Sequence, residues 1–66
     1  MTERDQQIYV VSSLPGIGDE LARRLLSNFK TIRKVFQADV NDLNKVEGVG
    51  RAKAERMSKL LDLTYA

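Results

Sequence analysis

Two glycine pairs, Gly16-Ile17-Gly18 and Gly48-Val49-Gly50, are the residues of this 66-residue chain whose type and spacing suit a chemical task, and the task is holding an anion. Each pair runs into a helical pattern, Asp19-Glu20-Leu21-Ala22 after the first and Arg51-Ala52-Lys53-Ala54 after the second. A reversal this tight between two helical patterns needs a positive φ or a close approach of backbones, and glycine permits both. The second glycine of each pair then opens a helix. Its first N–H groups have no partner inside the helix and carry the positive end of its dipole, which together suit a phosphate.

The two hairpins differ in charge. Asp19 and Glu20 satisfy the helix dipole after Gly18 and repel a phosphate. Arg51 and Lys53 follow Gly50 and oppose the dipole, at a cost of a few tenths of a kcal/mol up to about 1 unless an anion arrives. A local rule broken in this way points to function, so the second hairpin is the stronger expected site. Glu47 counts against it, as a carboxylate inside that hairpin that could also point outward or pair with Lys45 or Arg51. Arg23, Arg24, Lys30, Arg33 and Lys34 could form an accessory basic stripe; scattered on solvated faces, such residues are more often simply solubilising.

Carboxylates are the other candidates for chemistry. Asp39 and Asp42 share a face at a helix start, but Asp in the first turn is what capping and the dipole favour, and Asp19 and Glu20 read the same way. The chain has no histidine and no cysteine, which excludes an imidazole base, a thiol nucleophile, a disulfide framework and a zinc finger. No catalytic residue, metal site or cofactor is expected.

The elements that must position the hairpins come from a repeat. Ile8, Val11 and Leu14 match Val40, Leu43 and Val46 at an offset of 32, and Ala22, Arg24 and Leu25 match Ala54, Arg56 and Met57. A duplicated supersecondary unit follows. Ile8-Tyr9-Val10-Val11 alone would score as a strand, but its counterpart lies in Asp39-Val40-Asn41-Asp42-Leu43, a helical pattern with Asp39 as N-cap, so the repeat favours helix. Residues 19 to 28 form the clearest helix, with Leu21, Ala22, Leu25 and Leu26 on one face and Asn28 as a stop. Thr31 caps a short linking helix over about 32 to 37, with Ile32, Val35 and Phe36 toward the core. The last helix, 51 to 62, buries Ala54, Met57, Leu60 and Leu61. Ile17 and Val49 point inward, and Ala22 and Ala54 allow helices to approach closely. Residues 1 to 4 read as a flexible linker.

This arrangement resembles the helix-hairpin-helix motif, and its paired form resembles the tandem domain ending XPF-type structure-specific nucleases and the archaeal helicase-nuclease Hef. The end of the bacterial repair nuclease UvrC is similar enough to compete. The resemblance covers roughly residues 8 to 62, through Ser13-Leu14-Pro15-Gly16-Ile17-Gly18, Leu21 to Leu26, Val35 to Val40 and Leu43 to Gly50. It implies an all-α domain of about five short helices over residues 5 to 66, SAM-like and like the C-terminal domain of RuvA, with units at about 5–28 and 37–62 and the linking helix at about 31–37.

It also implies a non-catalytic module of a DNA repair or replication-fork nuclease or helicase, which grips backbone phosphates and selects DNA shape over sequence. The partner is DNA at a fork, a junction or a boundary between single strand and duplex. The DNA-binding residues would be Gly48, Val49, Gly50, Arg51 and Lys53, with Gly16, Ile17, Gly18, Arg23 and Arg24. The family's dimers suggest a homodimer, with Tyr9, Val10, Leu63 and Tyr65 left over for an interface once the core is filled, or Tyr9 and Val10 as core residues. A base-excision glycosylase carrying the motif would need far more chain.

Composition sets the outer bounds. The length suits one small domain that buries only about 60% of its unfolded surface. A hydrophobic content of 42% and a charged content of 30% describe an ordinary soluble globule, with no apolar run of membrane length and no secretory signal core near Met1. The expected location is the cytoplasm, at the nucleoid, or the nucleus in a eukaryote. A net charge of +2 licenses only a weak inference to an acidic partner. No membrane or small-molecule partner is expected.

Overall fold

The computed structural model describes residues 1–66 and contains five helices and no strand: α1 Glu3–Ser12, α2 Asp19–Phe29, α3 Ile32–Gln37, α4 Val40–Asn44 and α5 Arg51–Asp62. α1 packs on α2 and α4 on α5, while α3 touches both α1 and α2. The architecture is the expected all-α pair of helical hairpins with a short linking helix.

The core follows the repeat residue by residue. Val11, Leu14, Ile17, Ala22 and Leu25 are buried in the first unit, and Leu43, Val46, Val49, Ala54 and Met57, each 32 residues on, are buried in the second. Val35 of α3 is the one core residue outside the repeat and sits where the linking helix meets the first unit. No polar side chain is buried. Ala22 and Ala54 are fully covered, which fits their expected part in close helix approach. No helix is long and apolar enough to cross a membrane.

Three helices are capped by side chains and two are not. Thr31 accepts a hydrogen bond from the Lys34 amide at 3.0 Å and Asp39 accepts one from the Asp42 amide at 2.8 Å. Thr2 begins α1 with a reciprocal pair: its hydroxyl accepts from the Asp5 amide at 3.1 Å, and the Asp5 carboxylate accepts from the Thr2 amide at 3.2 Å. This capping box starts α1 at Glu3, inside the segment expected to be linker, because two otherwise unpaired amides are satisfied there. α2 and α5 have Gly18 and Gly50 as N-caps and no side-chain cap.

Other boundaries also differ from expectation. α2 does not stop at Asn28; the Asn28 side-chain Nδ2 donates back to the Arg24 carbonyl at 3.0 Å, and the helix runs one residue further. The chain leaves it at Lys30, whose φ of +77° is the conformation that usually selects glycine. Leu60, expected in the core, is 43% exposed, and Leu61 alone of that pair packs against the core. α5 offers its inner face at Ala54, Met57 and Leu61, and Leu60 falls beside that stripe.

Candidate nucleic-acid interface

Each hairpin turn is built the same way. The Ile17 amide donates to the Leu14 carbonyl at 3.0 Å, and the Val49 amide to the Val46 carbonyl at 3.0 Å. The third residue of each four-residue turn has a positive φ, +78° at Gly16 and +90° at Gly48, as a type II turn requires. Pro15 presets the second position in the first turn, and Glu47 occupies it in the second. Ile17 and Val49 follow as buried plugs and anchor the turns in the core.

The second glycines have a different character. Gly18 and Gly50 have φ of −97° and −75° in extended backbone, and a Cβ added to either meets nothing within 4 Å. Neither the conformation nor the packing of the fold calls for glycine there. Behind them, the first amides of α2 and α5 have no acceptor in the chain; the first bonds of these helices run from Ala22 to the Gly18 carbonyl at 2.9 Å and from Ala54 to the Gly50 carbonyl at 3.0 Å. Two bare helix N-termini, each fronted by a residue with no side chain, leave room for a ligand to approach backbone N–H groups.

The charged residues expected around these turns take distinct positions. The Arg51 guanidinium donates to the Asn41 side-chain oxygen at 3.3 Å and so stays with its own unit. Lys45 pairs with Asp42 at 3.7 Å and Arg51 bonds Asn41, so of the readings open for Glu47 the structure has the outward-pointing one, with no ion pair. Arg23 is exposed and lines a groove between α1 and α2 together with Arg4 and Lys30. Arg24 is held within the chain. One guanidinium nitrogen donates to the Glu47 carbonyl at 3.2 Å and the other to the Glu20 carboxylate at 2.9 Å, which braces the second hairpin against α2. The surface pair with Glu20 contributes little alone, and the bond to a turn carbonyl is what fixes geometry.

Gly48 sits in the same brace. A Cβ there would lie 2.6 Å from Leu21 Cδ2 and 2.7 Å from Arg24 Nη1. Gly16 is covered more loosely, with Lys53 Cγ and Cε each 3.9 Å from an added Cβ. Leu21 and Lys53 are repeat equivalents, so each unit's second hairpin helix lies over the other unit's turn. This crossing was missed in the sequence, where Lys53 is read as a neighbour of Gly50. No group of three or more acidic, histidine or cysteine side chains is arranged to hold a metal.

The four hydrophobic residues expected at an interface all lie outside the core: Tyr9 is 71% exposed, Tyr65 fully exposed, and Val10 and Leu63 exposed as well. Tyr9 and Val10 are therefore not core residues of α1.

The chain matches the family described as SAM-like helix-hairpin-helix tandem over residues 9–60. It is similar to a protein of Methanocaldococcus jannaschii named as an ATP-dependent RNA helicase, with 45% identity over 65 residues, covering 98% of this chain and 8% of that protein. It is 42% identical over 62 residues to the 3′-flap repair endonuclease Xpf of Saccharolobus solfataricus, covering 94% of this chain and 26% of that one. The chain thus spans a small part of each relative. Among solved structures, XPF from Aeropyrum pernix superposes with a TM-score of 0.95 at 36% identity, over 100% of this chain and 31% of that one. The same protein in complex with DNA gives a TM-score of 0.91 at 37% identity, over 98% and 32%.

Proposed function

The chain belongs to the SAM-like helix-hairpin-helix tandem family, and from that premise we propose that it binds the sugar-phosphate backbone of DNA through both hairpins. The observation that carries this reading is the pair of N-termini behind Gly18 and Gly50 that no side chain caps, where neither backbone conformation nor packing requires glycine. Backbone amides held rigid by buried Ile17 and Val49 can donate to phosphate oxygens without loss of conformational entropy, and the dipole adds to the attraction. Such contacts position a protein on DNA and carry no base information. The DNA complex of the structural neighbour supports DNA as the partner.

Two hairpins on one rigid core suit two phosphates in fixed relation, which selects DNA shape. The relative that acts on 3′-flaps supports a fork, junction or single-strand boundary as the target. In this reading the chain is a non-catalytic module of a repair or replication-fork nuclease or helicase, working wherever the genome lies. It is tested by titrating labelled fork DNA at several salt concentrations. Affinity should be indifferent to sequence and should fall with salt, each phosphate contact contributing about 0.7–0.9 to the log–log slope. Marked preference for one base sequence over a shuffled fork would overturn it.

A second copy of the chain is the occupant we propose for the face carrying Tyr9 and Val10 and for the terminal Leu63 and Tyr65. Sedimentation equilibrium at tens of micromolar should give twice the 7.5 kDa chain mass. A single species at 7.5 kDa would remove the dimer.

A further inference from the structure

We infer that Lys53 is the cation of the first hairpin, carried across from the second unit, and that it does not serve the hairpin it follows in the chain. The inference rests on the hairpin reading above. Lys53 is the third residue after Gly50, yet its Cγ and Cε both lie 3.9 Å from where a Cβ of Gly16 would be. This is ordinary van der Waals contact, so the aliphatic stem lies across the first turn. The ammonium is one bond beyond Cε, so it is delivered to the rim of that turn, as long cationic side chains do when their stems cover apolar surface.

The charge around the first hairpin makes this position meaningful. Asp19 and Glu20 open α2, and a phosphate arriving at Gly18 meets both carboxylates. Glu20 is engaged by Arg24 at 2.9 Å, whereas Asp19 has no cation within ion-pair distance. Lys53 makes no ion pair either, and its charge is free to offset Asp19 as an anion approaches. The second hairpin keeps its own Arg51, tied to Asn41 at 3.3 Å. The repeat equivalent of Lys53 over that hairpin is Leu21, which has no charge to give. The crossed packing therefore evens out a difference that the linear sequence exaggerates, with a cation that makes no ion pair set beside each turn, Lys53 at the first and Arg51 at the second.

A double-mutant cycle tests the assignment. Lys53→Gln, which keeps most of the stem over Gly16, is combined in turn with Gly18→Val and with Gly50→Val, and binding to labelled fork DNA is measured for each. Both glycines have negative φ and open surroundings, so valine enters without strain, and helix content by circular dichroism verifies the fold. Lys53→Gln alone should lower affinity about three- to ten-fold, the range of one lost phosphate contact near physiological salt, with Lys53→Arg restoring it. Beside Gly18→Val that loss should vanish, and beside Gly50→Val it should persist in full. The reverse pattern, an undiminished loss in both backgrounds, or no loss in the parent would overturn the assignment. If neither valine variant weakens binding, the phosphate reading of the hairpins itself is wrong, and the assignment falls with it.

Discussion

Gly48→Ala is expected to destabilise the chain by about 3–4 kcal/mol, and Gly16→Ala by about 1–2, although the two glycines hold equivalent places in the repeat. Both have positive φ, where an L-residue is strained by about 1–2 kcal/mol. Only Gly48 is also crowded. Its new Cβ would lie 2.6 Å from Leu21 Cδ2 and 2.7 Å from Arg24 Nη1. Both atoms end flexible side chains and can give way, so overpacking stays near the low end of its range. Moving Arg24, however, breaks its bond to the Glu47 carbonyl, worth about 1 kcal/mol. At roughly 0.05–0.15 kcal/mol per residue a domain of this size has about 3–10 kcal/mol in all, so the Gly48 variant should show a large drop in denaturation midpoint. Equal losses at the two positions in urea titrations would mean that the second hairpin is not seated on α2 as described.

That asymmetry marks the limit of what the sequence could tell. The helices and the core were legible because the repeat imposes the same apolar spacing twice, so that Val11, Leu14, Ile17, Ala22 and Leu25 predict their partners 32 residues on. The ambiguous Ile8 to Val11 segment was resolved by the same logic. The start of α1 was missed because Thr2 and Asp5 cap each other in a run of polar residues with no apolar period to announce a helix. Leu60 was misplaced because adjacent leucines leave the phase of a helix face undetermined until it packs.

For the site, the turn glycines and the buried plugs were readable from residue type. The positions of the charges were not. Arg24 reaches the carbonyl of Glu47 and Lys53 covers Gly16, contacts between residues far apart in the chain that no local pattern encodes. Sequence adjacency places Lys53 beside the second hairpin and gives no sign that Arg24 bonds within the chain. In the fold, Arg24 is a brace within the chain.

The central claim is that the bare amides behind Gly18 and Gly50 take up DNA phosphates, and blocking both at once tests it most directly. Hydrogen bonds to a charged group contribute about 1.5–3 kcal/mol each. Losing at least one at each hairpin should therefore weaken binding by a hundred-fold or more, since about 1.4 kcal/mol is a factor of ten. The Gly18→Val, Gly50→Val double variant keeps the net charge, and its valines stand in extended backbone with nothing within 4 Å of the added Cβ. Valine is a poorer N-cap than glycine, so α2 and α5 should each lose some stability, and circular dichroism must report the parent's helix content before binding is compared. With that control met, the account predicts affinity for fork DNA reduced at least a hundred-fold relative to the parent. A folded double variant that binds the fork as tightly as the parent would contradict it.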